Sequence, residues 1–187
     1  MHNYFQVYYF VDKFDLKDLS NIKSSINIIY RNYSTEFNVN DIIKIKEFCK
    51  KNKFKLFLSN NIKLASKLGL NGVYLPAFNK KMNYSNFVTK KDFSIIGSAH
   101  SLKEIRIKEF QNCEKIFISP IFKTDKNKSY LDIVKFNILA SKTKKDVICL
   151  GGIKKINLKK IKMTKSKGLA SISWIKKNGL NKNLGRF

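Results

Sequence analysis

The stretch Asp146–Trp174, DVICLGGIKKINLKKIKMTKSKGLASISW, decides the fold. It opens with a short apolar run, Val147-Ile148-Cys149-Leu150, which breaks at Gly151-Gly152. A basic segment follows from Asn157 to about Lys165, with Ile and Leu at helical spacing. Gly168 then introduces a second apolar run, Leu169 to Trp174. Strand, glycine turn, helix and strand make the βαβ pattern of a parallel sheet. The strand ends at Gly151-Gly152 and at Ser173-Trp174 offer small residues and backbone N–H groups suited to an anionic ligand.

Upstream the same unit repeats. Tyr4 to Val11 is an aromatic and β-branched first strand ending at Asp12, and Leu16 to Ser25 reads as a short amphipathic helix. Asn27 to Arg31 is the second strand, followed by a helix from Asn40 to Lys51 with Asn40 as its N-cap. Lys55 to Leu58 is the third strand, and the helix Ile62 to Leu68 stops at Gly69. Gly72 to Leu75 is the fourth strand, halted by Pro76; the polar segment after it, to about Asp92, is irregular with at most one helical turn. Phe93 to Ile96 is the fifth strand, leading through Gly97-Ser98-Ala99-His100 to a capping box, Ser101 to Glu104, that opens a helix. Lys115 to Ile118 is the sixth strand, and Leu131 to about Ser141 a helix before the opening stretch.

Eight short, near-continuously apolar strands separated by helices are the signature of parallel strands covered on both faces. The expectation is an α/β protein, a compact (β/α)8 TIM barrel with some helices short. A doubly wound open sheet is the alternative, but the first turn carries no GxGxxG.

The chain has 187 residues, with few prolines and no Ser/Gly-rich linker, so one barrel domain over 1–177 and a polar tail over 178–187 are expected. No uncharged run is long enough to span a bilayer, and the N-terminus lacks a basic n-region and a cleavage site. A cytoplasmic protein without membrane contact is therefore expected. Cys49, Cys113 and Cys149 are far apart with no CxxC spacing, and His2 and His100 are the only histidines, which argues for reduced structural thiols and against zinc. The formal charge of +25 raises nucleic acid as a partner. Yet only Arg31, Arg106 and Arg186 among the 38 basic residues are Arg, and the lysines are scattered among Ile and Asn, which share AT-rich codons. Base readout and bidentate phosphate forks favour Arg, so a nucleic-acid role is disfavoured. Small phosphorylated substrates fit the charge, and a homo-oligomer stays open.

In a barrel the active site lies at the C-terminal strand ends. Here those ends read Asp12, Arg31, Ser59-Asn60, Tyr74, Ser98 with His100, Thr124 with Lys126, Gly151-Gly152 and Ser173. Cations, hydroxyls, amides and backbone donors dominate, and carboxylates are scarce. Such a rim suits phosphate or diphosphate better than acid–base hydrolysis or a metal cluster.

The runs Ile95-Ile96-Gly97-Ser98-Ala99-His100-Ser101, Ser119-Pro120-Ile121-Phe122-Lys123-Thr124, Cys149-Leu150-Gly151-Gly152-Ile153 and Ser171-Ile172-Ser173 together resemble the thiamine phosphate synthase/TenI family. With Leu64-Ala65 and Gly72-Val73-Tyr74-Leu75 the resemblance covers nearly the whole chain. It implies a barrel, thiamine biosynthesis, and a transferase that joins hydroxymethylpyrimidine diphosphate to thiazole phosphate with Mg²⁺ assistance. The TenI branch implies thiazole tautomerase activity or phosphate-ligand binding without the synthase reaction.

Carried over residue by residue, the family's Gln-x-Arg-x-Lys on strand two becomes Ile29-Tyr30-Arg31-Asn32-Tyr33, keeping only the Arg. The Asn-Asp after strand three becomes Ser59-Asn60, and the His and second Asp near strand four become Tyr74 and Asn79. The Ser of strand five is kept as Ser98. The Thr-x-Thr-Lys of strand six becomes Thr124-Asp125-Lys126-Asn127, with Lys126 or Lys128 standing in for the lysine. The resemblance thus assigns Arg31, Ser98 and Lys126 to catalysis, and Thr124, Gly151, Gly152 and Ser173 to the thiazole phosphate. Arg31, Asn60, Tyr74, Ser98 and Lys126 fall to the diphosphate and pyrimidine. No metal ligand is assigned: Asn60 and Asn79 replace both Asp residues, which weakens Mg²⁺ binding. The tautomerase histidine aligns with Pro120. A divergent synthase-type transferase is the leading expectation, with a phosphate-ligand binder as its alternative.

Overall fold

The computed structural model describes residues 5–22, 25–33, 37–82, 84, 92–125 and 128–178. In chain order they form β1 (Gln6–Val11), α1 (Leu16–Ser20), β2 (Asn27–Tyr30), α2 (Val39–Asn52), β3 (Lys55–Ser59), α3 (Ile62–Lys67), β4 (Gly72–Leu75) and β5 (Ser94–Ala99). Next come α4 (Leu102–Phe110), β6 (Lys115–Ile118), α5 (Asp132–Ala140), β7 (Asp146–Leu150), a 3-10 turn (Lys155–Asn157) running into α6 (Leu158–Ile161), β8 (Gly168–Ser171) and α7 (Ser173–Asn178). Each strand pairs in parallel with the next, and β8 returns to β1, so the sheet closes as a barrel in sequence order. The expected (β/α)8 architecture is the one observed.

Alternation along each strand divides the core into two layers. Tyr8, Phe10, Ile29, Phe57, Tyr74, Ile96, Phe117, Ile148 and Ala170 fill the barrel interior. Their neighbours in sequence, among them Val7, Tyr9, Ile28, Tyr30, Leu56, Leu58, Ile116 and Val147, pack outward under the helices. Five of the interior residues are aromatic, and they meet edge-on: Tyr8 with Phe117 at 4.8 Å, Phe10 with Tyr74 at 5.2 Å, and Tyr74 with Phe117 at 5.6 Å between centroids. Rings of this size need small residues opposite them. A Cβ on Gly72 would lie 2.0 Å from the Ser94 carbonyl oxygen and 2.8 Å from the Phe57 ring, so β4 begins with the only residue that fits there.

Four local expectations are corrected. α2 is capped by Asn38, whose Oδ1 accepts from the Asp41 N–H at 3.2 Å, so the helix starts before Asn40. α1 stops at Ser20 and not at Ser25. The helix expected from Asn157 to Lys165 is only α6: the Thr164 hydroxyl takes the Ile161 carbonyl (2.6 Å) and the Asn137 amide takes the Met163 carbonyl (3.0 Å), which ends the ladder early. β8 ends at Ser171, not Trp174. Its neighbour β7 turns away at Gly151 (φ +92°), leaving no strand partner beyond Ala170 on that side, and Trp174 sits instead in α7 against the outer core. The tail expected over 178–187 lies, but for Asn178, outside the described residues.

Gly72→Ala is expected to cost about 3 kcal/mol or more in urea unfolding, because backbone rather than a flexible side chain blocks the methyl. Gly69→Ala, at φ +60° with only Lys46 Nζ, 3.8 Å away, beside its Cβ position, should cost only about 1 kcal/mol.

Candidate functional site

Two clefts open at the C-terminal ends of the strands, and Arg31 and Leu150 line both. The first, of about 470 Å³, also takes Tyr33, Tyr74, Phe78, Lys80, Ser98, His100 and Ser119. The second, of about 500 Å³, is formed by Lys123, Thr124, Gly151, Gly152, Lys154 and Ser173, with Asp125 as its carboxylate. Arg31 comes directly after β2, and its N–H extends the ladder to the Val11 carbonyl at 2.7 Å, so its Cα is held as firmly as a strand residue. Its guanidinium lies 4.6 Å from the centroid of Phe10 and 5.4 Å from that of Tyr33. No carboxylate among the described residues is within ion-pair distance of it. Stacking rather than a salt bridge therefore orients this cation, and its charge remains available to an anion.

Beneath Arg31, burial pushes the Tyr74 phenol up to about 12, while hydrogen bonds with Ser98 and Arg31 pull it down. The hydroxyl stays protonated at neutral pH, and Ser98, itself buried, faces the same cleft. At the far side the Glu104 carboxylate accepts from the His100 N–H (2.6 Å) and lies 3.1 Å from His100 Nδ1, while Ser101 Oγ accepts from the Glu104 N–H at 3.3 Å. The expected capping box is thus present with its return bond shifted one residue, onto His100. In the second cleft, a Cβ on Gly152 (φ +70°) would fall 2.3 Å from the Phe122 carbonyl oxygen. The β6 loop is tied down there by Ile121 N–H to Leu150 O (2.9 Å) and Phe122 N–H to Gly151 O (3.2 Å).

Arg31, Tyr74 and Ser98 therefore meet in one cleft, and Thr124, Gly151, Gly152 and Ser173 meet with Arg31 in the other. Lys126 lies outside the described residues, and Lys128 is exposed. Asn60 and Asn79 line neither cleft. Asp12 borders a third, smaller recess of about 370 Å³ that shares Arg31. Cys49, Cys113 and Cys149 are buried, with thiols pushed up to about 12, 12 and 11 by that burial, which removes them as nucleophiles.

The family model described as thiamine monophosphate synthase, TMP-TENI, matches residues 21–175. The chain belongs to this family. It is 29% identical over 159 residues to a thiamine-phosphate synthase of Prochlorococcus marinus, covering 82% of this chain and 46% of that relative, so it spans about half the length of the curated protein it matches. Among solved structures, a thiamine phosphate pyrophosphorylase from Pyrococcus furiosus superposes with a TM-score of 0.74 at 18% identity, over 93% of this chain and 88% of that one. One from Bacteroides thetaiotaomicron gives 0.56 at 16% identity, over 98% and 89%. The YdjI aldolase from Escherichia coli K12 gives 0.66 at 12% identity, over 91% and 76%, so at these identities the superpositions speak for the barrel alone.

The two positions where the family resemblance expects Asp converge in space. Asn79 Nδ2 donates to Asn60 Oδ1 at 2.6 Å and also to the Tyr84 hydroxyl. Asn79 Oδ1 in turn accepts from the Lys81 N–H at 2.9 Å. Two carboxylates in this place would share a divalent cation; the amide pair instead satisfies itself. Among the described residues no group of three or more His, Cys, Asp or Glu could hold a metal ion. Mg²⁺ does not fit this donor set, which offers no carboxylate and turns an amide N–H of Asn79 towards Asn60 Oδ1.

Beneath Asn79 lies a residue that no sequence motif marks. Lys108 of α4 is fully buried, and its ammonium donates to Pro76 O (2.8 Å), Asn79 O (2.9 Å) and Gln111 Oε1 (2.8 Å). Gln111 Nε2 adds bonds to Asn79 O (3.0 Å) and Lys81 O (2.7 Å). The segment from Pro76 to Lys81, which carries Phe78 and Lys80 into the first cleft, is thereby clamped from below. The signal in the sequence is faint: Lys108 stands three residues after Ile105, on the buried face of α4. Burial pulls its pKa from 10.5 down to about 8. Between these two values the unfolded chain binds more protons than the folded one, so this group adds stability as pH rises. Lys108→Met should cost roughly 1–3 kcal/mol at pH 7, chiefly by leaving Gln111 Oε1 without its donor, since Pro76 O and Asn79 O keep the Asn79 N–H and Gln111 Nε2. The stability difference between wild type and Lys108→Met should widen from pH 8 to pH 10 in denaturant titrations. A flat difference would mean that the ammonium is not desolvated.

Proposed function

We propose that the chain works in thiamine biosynthesis as a synthase-type transferase, coupling hydroxymethylpyrimidine diphosphate to thiazole phosphate and releasing diphosphate. The observation that carries this reading is the pair of clefts meeting at one guanidinium, Arg31, with no described carboxylate paired to it. A transfer between two anionic substrates needs two anion sites with the reacting atoms between them. Lys123, Lys154, Ser173 and the Gly151-Gly152 turn suit the phosphate of the acceptor. Arg31 and Lys80 suit the diphosphate of the donor.

The chemistry asks little of the protein beyond charge. The C–O bond to diphosphate breaks with its electron pair going to the leaving oxygen, and the lone pair of the thiazole nitrogen closes on the resulting carbon cation. No proton has to move in that step, which agrees with a mouth whose Tyr74 hydroxyl stays protonated and whose carboxylates are few. Stabilising the leaving diphosphate is the main task. Here we assign it to Arg31 and Lys80 without a protein-bound metal, because Asn60 and Asn79 occupy each other. A second reading, a phosphate-ligand binder without transfer, rests on that same loss of both carboxylates.

Incubation with hydroxymethylpyrimidine diphosphate and thiazole phosphate should yield thiamine phosphate by mass. Arg31→Lys should lower turnover roughly a hundredfold. Ser173→Ala should mainly raise the KM for thiazole phosphate, by about tenfold. Absence of product, with thermal stabilisation by thiazole phosphate alone, would establish the binder instead. Neither product nor stabilisation would refute both readings.

A further inference from the structure

At the first cleft two aromatic rings stand in the open. Tyr33, two residues beyond Arg31, is 55% exposed, and Phe78, on the loop after β4, is 62% exposed. Single exposed apolar side chains are ordinary. These two come from different strand ends and meet edge to face, with centroids 5.6 Å apart and ring planes at 67°. They continue a ladder that begins inside the barrel: Tyr74 on Phe10, Phe10 under Arg31, Arg31 beside Tyr33, Tyr33 against Phe78. Lys108 and Gln111 hold the backbone on both sides of Phe78, so the outer ring is presented from a clamped loop. At position 33, moreover, the family resemblance expects a lysine, and this chain has put a ring in its place.

We propose that Tyr33 and Phe78, with Arg31 between them and the barrel interior, form a subsite for the planar heteroaromatic group of a phosphorylated substrate. This deepens the transferase reading and rests on it. A cleft of about 470 Å³ has room for a single ring and its anionic arm. The guanidinium carbon lies over the Phe10 and Tyr33 rings, which leaves the N–H donors not engaged by Tyr74 for the phosphate oxygens. A flat ring held against Phe78 then places its anionic substituent towards Arg31 and Lys80, and one anchor serves both halves of the ligand. The same faces carry negative π density, which suits a ring on which positive charge develops as an anionic group departs. A purely aliphatic diphosphate would gain the charge contacts and forgo the stacking.

Calorimetric titrations with inorganic diphosphate, methyl diphosphate and hydroxymethylpyrimidine diphosphate test this on wild type, Phe78→Leu and Phe78→Trp. Phe78 is exposed enough that neither change threatens the fold. Wild type should bind the heteroaromatic diphosphate about tenfold tighter than methyl diphosphate. Phe78→Leu should erase most of that preference, Phe78→Trp should keep it, and inorganic diphosphate should bind all three within about twofold. An undiminished preference in Phe78→Leu, or none in wild type, overturns the subsite while leaving the transferase reading standing. Failure of every diphosphate to bind wild type would remove that reading, and the subsite with it.

Discussion

A fully buried ammonium with three uncharged oxygens around it underlies the architecture of the mouth. Lys108 reaches from α4 across the face of β5, and β5 must be bare beneath it: a Cβ on Gly97 would lie 2.8 Å from Lys108 Cδ. Its head group then draws in Pro76 and Asn79. Desolvating a lysine without a carboxylate partner is costly, and it is tolerable only because every proton of the ammonium has an acceptor. The result is a rim loop of fixed shape. Phe78 and Lys80 face the cleft from it, and Asn79 faces Asn60 from it.

The site's electrostatics depend on the same economy of carboxylates. In the transferase reading proposed above, cations of the protein itself take the place at the mouth that a metal would otherwise fill. Arg31, Lys80, Lys123 and Lys154 surround the two clefts, while Glu104 is engaged by His100. The substitution of both expected Asp residues by Asn removes charge that such a mouth no longer has to carry. Asn60, at φ +62°, keeps the left-handed backbone that an Asp would also accept there, so the loop geometry survives the loss of the metal-type donor.

The barrel was legible because its signal is periodic and repeated: short apolar runs, most of them closed by Gly, Pro or Ser and the first two by Asp12 and Arg31, alternate with helical segments as parallel strands do. Boundaries were less legible, since they depend on partners elsewhere. β8 stops at Ser171 because β7 turns at Gly151, and α6 is cut short by side chains of Thr164 and Asn137, none of which a local pattern contains. That Gly151-Gly152 and Ser173 would meet in one cleft could be read from the sequence, since tight turns and hydroxyls at strand ends mark a barrel rim. Tyr33 and Phe78 could not, because an aromatic residue in a loop looks the same whether it packs or presents its face. Lys108 was hidden among thirty-five lysines. Asn60 reads as a ligand-facing rim residue, yet its side chain is consumed by Asn79, a contact across 19 positions that only the fold creates.

The measurement that bears most directly on this account is calorimetric binding of inorganic diphosphate with and without Mg²⁺, to wild type and to Asn60→Asp/Asn79→Asp. Wild type should bind in the presence of a chelator, with Mg²⁺ changing its affinity by less than about twofold, because protein cations carry the charge. The double variant should bind more weakly in chelator and recover on adding Mg²⁺, as two carboxylates first repel the ligand and then share a cation with it. Wild type that binds diphosphate only when Mg²⁺ is present would contradict the account.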